Sequence, residues 1–220
     1  SESVIASQWN FFNKEFTIQD ELVDNVTTTI AIQDLNSLIS LYRGGDTNLV
    51  EGLLSRFADE DTNASVVTNS LVDWQDFDSL ISINGAEHES YSKPGMPTNM
   101  PLQSFDEILH IKGVTPKLAE QIKPYITILP QSFFNPKNAP REVLSLLLPS
   151  EKVDNIIRLR DNDLLTLDEF RLQSGMVMDE TIYFFTSGLL RVTLKTMLND
   201  VVLTKELYVF IQPNKKHPYI

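Results

Sequence analysis

Apolar positions recur along this chain at two periods, and the change between them divides it into stretches. Val4, Ile5, Gln8, Trp9, Phe12 and Phe16 follow spacings of one, three or four, which predicts an amphipathic helix at the amino end. From 25 to 38 the period becomes two: Val26, Thr28, Ile30 and Ile32 alternate with smaller or polar residues, as in a half-buried strand. Gly44-Gly45 breaks the pattern, and from Asp46 to about Thr186 short helical faces alternate with Pro, Gly and Asn.

The first of these faces is Leu49, Val50, Leu53, Leu54 and Phe57, and Ser70 to Trp74 reads as the end of a second helix. A polar loop from Gln75 to Pro101 has little periodicity. Ser104 with Glu107 has the spacing of a capping box ahead of a face made by Phe105, Ile108 and Leu109. Pro140 stands at an early helix position before Val143, Leu144, Leu147 and Leu148. Val153, Ile156, Ile157 and Leu159 mark the next helix, and Thr166 precedes one carrying Leu167, Phe170 and Leu172. Alternation returns from 181 to 198, Asn199-Asp200 supplies a turn, and 201–213 reads as a further strand. Strand-like sequence near both ends, able to pair in one sheet, predicts an α+β fold in which a mainly helical region interrupts a sheet-containing domain. The boundaries expected are 1–43 with 185–220 for the sheet domain and 44–184 for the insertion.

Composition narrows the functions open to such a fold. The 220 residues are 42% hydrophobic and 22% charged, ordinary globular values, with a net charge of −12 and a pI near 4.6. A surface of that sign repels phosphate and anionic lipid and suits divalent cations or basic partners. The absence of cysteine removes disulfides, thiolate metal sites and a thiol nucleophile. No apolar run is long enough to cross a membrane. The opening SESVIASQWNFFNKEF reads as the end of a helix, so a hydrophobic segment is expected ahead of it.

The chemistry is concentrated between Leu71 and Tyr91. Asp73, Asp76 and Asp78 lie within six residues, with Asn84, Glu87 and Glu89 across a loop. A hard cation such as calcium needs six to eight oxygens held by a flexible backbone, and this loop can supply them, without the twelve-residue spacing of an EF-hand. The competing reading is a solvated acidic loop in which Asp73 and Asp78 cap helices. Catalytic patterns are missing: His88, His110 and His217 are far apart in sequence, and no HExxH, GxSxG, P-loop or GxGxxG occurs. No enzymatic activity is expected and no catalytic residue is assigned.

Two further features carry open readings. The segment 104–130 resembles a helix-hairpin-helix, loosely repeated over 134–175, and such motifs grip DNA phosphates through a Gly-X-Gly hairpin. Here Gly113-Val114-Thr115 lacks the second glycine, and Pro149-Ser150-Glu151 has none and carries an acid, so a scaffold role is favoured and DNA binding is the alternative. The aromatic cluster Trp9, Phe11, Phe12 and Phe16 either packs on its own sheet or turns part of its face to a neighbouring subunit.

The order of these pieces resembles the K-type minor pseudopilins of type II secretion systems. The residues that carry the resemblance are Leu71-Val72-Asp73-Trp74-Gln75-Asp76-Phe77-Asp78, then Gly85-Ala86-Glu87 and Tyr91. They continue through Asn99 to Ile108, Ile111-Lys112-Gly113-Val114, and the Asn-x-x-x-Ala-Pro element that starts at Asn135. The departures are hairpins poorer in glycine and a first strand that reads Thr-Thr-Ile-Ala-Ile-Gln. The resemblance implies a pilin-like domain, an N-terminal helix plus antiparallel sheet, interrupted by a helical domain. It implies a periplasmic protein anchored in the inner membrane by an N-terminal hydrophobic helix. It further implies assembly with I- and J-type minor pseudopilins at the pseudopilus tip, where secreted substrate or the outer-membrane channel is engaged, without nucleic acid. Calcium near Asp73, Asp76, Asp78, Asn84 and Glu87 completes the expectation.

Overall fold

The computed structural model describes residues 9–19 and 26–211. Val4, Ile5 and Gln8 of the expected amino-terminal helix lie outside them. The rest of that expectation is corrected: Trp9 to Glu15 form no helix, Phe12 makes a single antiparallel bridge to Gln33, and Phe16–Gln19 is a strand, β1. Bulky aromatics suit a strand as well as a helix, and pairing with a neighbour settles the choice.

The described residues fall into two compact units, one from 9–37, 133–140 and 162–211, the other from 38–132 and 141–161. The boundaries read from the sequence differ from this division over 38–43, 133–140 and 162–184. Local pairing explains the difference. Ile39 and Ser40 join the helical unit by pairing with Ile126 and Thr127. Phe134 joins the sheet unit by donating its N–H to Thr181 O at 2.7 Å, and Phe170 packs edge-on against Phe184 with ring centroids 5.0 Å apart.

The sheet unit is built on four antiparallel strands in the order β1, β2 (Val26–Asp34), β5 (Leu189–Leu198), β6 (Val201–Phe210). The alternation seen in the sequence becomes one face: Ile30 pairs with Leu194 and Ile32 with Val192, so the branched aliphatic residues stand together. Burial deepens toward the Asp34 end of β2, where Ala31, Ile32 and Leu190 are enclosed. Strand β6 is joined to β5 through Asn199, whose φ of 52° is the left-handed geometry a tight hairpin needs. The unit also holds α6 (Leu167–Ser174), capped as the sequence indicates by Thr166 Oγ1 accepting Glu169 N at 3.1 Å and closed by Gly175 at φ 75°.

Asp34 gathers three segments of this unit. Its buried carboxylate accepts the amides of Asn135 at 2.8 Å and Asn138 at 3.3 Å, the Ser187 hydroxyl at 2.6 Å and the Asn36 N–H at 3.1 Å. A carboxylate accepting several hydrogen bonds can be buried without a counter-ion, because the donors replace its water.

The helical unit begins at the short parallel pair β3 (Ile39–Ser40) and β4 (Ile126–Thr127). Around it lie α1 (Thr47–Phe57), α2 (Ala64–Gln75), α3 (Pro116–Ile122), α4 (Arg141–Leu147) and α5 (Ser150–Asp161). Asp46, Asn63 and Thr115 cap the first three of these helices, each contribution being about 1 kcal/mol. Val50, Leu53, Leu54, Val67, Leu71, Ile111, Ile122 and Ile126 close over a shared apolar centre. Each such side chain contributes about 1.5–3 kcal/mol on full burial. The helix expected after Ser104 is a 3-10 helix, Phe105–His110, and Ser104 does not cap it. Instead Glu107 Oε1 accepts the Gln103 N–H at 3.1 Å.

Candidate metal centre

The site grows from the last turn of α2. Val67, Leu71 and Trp74 face inward at helical spacing, so the residues around Trp74 are carried into the core with it. Asp73, Trp74 and Gln75 are all buried, and each points to a different part of the unit. Helix α2 stops because Asp76 turns to extended backbone, with ψ 178°.

Asp73 holds the loop that follows. Its Oδ2 accepts the Ala86 N–H at 2.8 Å and the Ser82 N–H at 3.2 Å. An acid at a helix C-terminus meets the unfavourable end of the dipole, and these two donors offset that. Asp73 is therefore not a helix cap, as the solvated-loop reading had it. Asp78 is not one either: its Oδ1 accepts the Leu80 N–H at 2.8 Å in a local turn. Trp74 stacks edge-on with Tyr91, centroids 5.4 Å apart, and lies over His110 at 6.5 Å. Gln75 donates to Leu41 O at 2.8 Å and accepts the N–H groups of Arg43 at 2.9 Å and Leu102 at 3.2 Å.

Four of the expected ligands share one electrostatic neighbourhood. Burial pushes the Asp76 carboxyl above its usual range, and the charges of Asp78 and Asp73 push it the same way. Glu87 is only 4% exposed; burial raises its carboxyl too, followed by the charges of Asp76 and Asp73. Asp76 Oδ1 and Glu87 Oε1 are buried with no hydrogen-bond partner. Asn84, the fifth expected ligand, lies exposed at φ 65° in the turn before Gly85. Among the described residues no three His, Asp or Glu side chains already stand together as a metal cage.

Sequence reasoning missed two features here. The loop it read as polar exposes large apolar side chains, with Phe77 at 70%, Leu80 at 76%, Ile81 at 55% and Ile83 at 87%; the density of acids masked them. The Arg43 guanidinium lies 4.6 Å from the centre of the Phe77 ring. The second is the contact made by Asn99, which the sequence marks only as the first residue of a recognised element: its amide nitrogen donates to Asp78 O at 2.9 Å and its Oδ1 is buried and unpartnered. An Asn flanked by proline-rich loop sequence gives no periodic signal.

Residues 33–131, which contain this whole site, match the family model described as type II secretion system (T2SS), protein K. The chain is 30% identical over 141 residues to type II secretion system protein K of Klebsiella pneumoniae, covering 59% of this chain and 43% of that protein. It is 34% identical over 82 residues to the Aeromonas hydrophila protein of the same name, covering 36% and 25%. The chain thus spans less than half the length of these curated relatives. Its fold is similar to a chain in the crystal structure of the GspK-GspI-GspJ complex of enterotoxigenic Escherichia coli, with a TM-score of 0.62 at 18% identity over 94% of this chain and 81% of that one. The matched motif residues, the curated relatives and the shared fold agree: over 33–131 this chain is similar to the type II secretion system protein K family.

Proposed function

We propose that this chain is the tip-forming part of a minor pseudopilin, assembling with I- and J-type minor pseudopilins to support protein export across the outer membrane. The observation that carries the reading is the family match over 33–131, supported by a fold like that of a chain in a K-I-J complex. In this reading the four-stranded antiparallel sheet is the pilin-like domain, and the unit bearing the site is the inserted helical domain, its 105–122 hairpin serving as scaffold. The DNA-binding alternative gains no support from the relatives, and the charge of −12 opposes it. The role is structural, with no catalytic task for the acids. The protein would stand in the periplasm, held to the inner membrane by a hydrophobic helix. Among the described residues no helix is long and apolar enough to cross a membrane.

The acidic loop fits a calcium ion. Asp76 and Glu87 each bury an oxygen that nothing satisfies, and the neighbouring charges of Asp73 and Asp78 make that arrangement costly without a cation. Asp76, Glu87 and Asp78 would hold the ion directly, Asp73 would shape the loop beneath it, and Asn84 would offer a further oxygen. Backbone carbonyls and water would make up the six to eight oxygens that calcium takes. The ion would supply the positive charge that lets the loop close. Mixing the chain with soluble I- and J-type subunits tests the assembly reading, and a stable complex is expected.

A further inference from the structure

We propose that the outer edge of β6 receives an extended strand from a neighbouring I- or J-type minor pseudopilin, lengthening the four-stranded sheet across the subunit boundary. The inference rests on the assembly reading above and names the surface that would carry it. The strand order β1-β2-β5-β6 leaves two edges. The β1 edge is only four residues long, and shortness is one way a protein blunts an edge. The β6 edge runs for ten residues, VVLTKELYVF, without a proline. Its register with β5 is unbroken from Val201 to Phe210, so no bulge turns it away. Among the described residues no strand pairs with its outer side.

The backbone groups on that side can be named. Ile211 N–H donates to Gly188 O at 2.8 Å, and hydrogen-bonded pairs alternate along an antiparallel ladder. Odd-numbered residues of β6 therefore turn their N–H and C=O toward β5, and Val202, Thr204, Glu206, Tyr208 and Phe210 turn theirs outward. A row of alternating donors and acceptors suits one kind of ligand, another extended backbone. The side chains agree. Every residue from 201 to 206 is exposed, and Val201, Val202, Leu203, Tyr208 and Phe210 offer apolar surface on both faces. A partner strand would cover that surface with alternating side chains of its own.

Charge selects the occupant. Outward-facing residues pair only with outward-facing ones, so a second copy added antiparallel must set even-numbered residues against even-numbered ones. The two registers of greatest overlap then place Lys205 opposite Lys205, or Glu206 opposite Glu206, and like charges directly opposite repel. The edge thus discriminates against its own kind. A strand of different sequence, apolar with an acid facing Lys205 or a base facing Glu206, fits it better. Within the proposed assembly such strands come from the I- and J-type subunits.

Thr204→Pro is the test variant, because it deletes one outward N–H and leaves every bond to β5 in place. Titration calorimetry against soluble I- and J-type domains, each alone and both together, should show affinity for the strand donor falling by about tenfold or more. Residue-resolved amide exchange on the unsubstituted chain gives a second readout that does not depend on how the variant folds. The N–H groups of 202, 204, 206, 208 and 210 should exchange fast in the free chain and about tenfold or more slowly in the complex. Binding of T204P within about threefold of the unsubstituted chain would overturn the proposal and leave the assembly standing. Outward amides that exchange as fast in the complex as in the free chain would do the same. A dimer of the chain alone that protects these amides would overturn the choice of partner. Failure of the unsubstituted chain to form any complex would overturn the assembly reading, and this inference with it.

Discussion

Asp73 reaches thirteen residues along the chain to accept the Ala86 N–H at 2.8 Å, and Gly85 lies directly against the same carboxylate. A Cβ at Gly85 would overlap Asp73 Oδ2, so the loop returns to α2 only because residue 85 has no side chain. This pair, and not the acidity of the loop, fixes its path. Asp73→Ala leaves the buried Ala86 and the half-buried Ser82 N–H groups short of an acceptor and should cost about 2–4 kcal/mol. Gly85→Ala forces the carboxylate aside and should cost about 1–3 kcal/mol. Urea denaturation measures both; values near zero would mean that the loop is held in some other way.

In the sheet unit, Asp34 is the acceptor on which Asn135, Asn138 and Ser187 converge. Removing it takes one acceptor from each of several donors at once, although Asn135 keeps Phe185 O and Asn138 keeps Thr186 Oγ1, so Asp34→Ala should destabilise by about 3 kcal/mol. Asn135→Ala should cost less, about 1–2 kcal/mol, because the remaining donors still serve the carboxylate. Denaturant melts of the two variants decide the order.

Asp179 sets a pH dependence whose sign can be worked out. The Thr181 N–H and hydroxyl and the Ile182 N–H all donate to its Oδ1, holding the carboxyl below its usual range. A depressed folded-state value gives stability that is present above the unfolded value, near about pH 4, and is lost as pH falls through the folded value. Asp179→Ala should therefore lower the melting temperature at neutral pH, and the difference should vanish in acid. The group is exposed, so the effect is small.

Removing metal tests the acidic loop as a whole. A ligand that binds only the folded state stabilises by mass action, by about 2.7 kcal/mol at a hundredfold excess over Kd. Melting in millimolar calcium should thus run several degrees above melting in EDTA, with magnesium far less effective because it keeps its waters. Glu87→Gln should abolish the rise and, without metal, should melt no lower than the unsubstituted chain, since burial and neighbouring charges penalise the ionised form. Equal melting in calcium and EDTA would reduce the loop to a solvated one.

Much of this architecture was legible because it repeats. Alternation from Val26 to Ile32 and over 181–198 and 201–213 gave the strands, although the first of the last two pairs only from Leu189 onward; helical spacing gave the Leu53 and Val143 faces, and Thr166 announced its helix. Signals without repetition were misread. Trp9 to Phe16 has helical spacing but meets Gln33 and Ile30 as a strand partner would, and no single-chain period can weigh that pairing. Ser104 and Glu107 have capping-box spacing, yet Glu107 serves Gln103 in a tighter helix. At the site the acids could be named from sequence, whereas their division of labour could not. Asp73 binds backbone while one Glu87 oxygen stays unsatisfied, which depends on the turn at Gly85 and on burial. The Asn135-x-x-x-Ala139-Pro140 element was recognisable only as a pattern; its reason is the Asp34 carboxylate 101 residues before Asn135.

The central claim is assembly, and light scattering on a size-exclusion column measures it directly. The chain is mixed with soluble I- and J-type minor pseudopilin domains at micromolar concentration, in calcium. The account predicts one peak with the mass of a 1:1:1 complex. Three separate peaks at the monomer masses, with all three proteins folded, would contradict it.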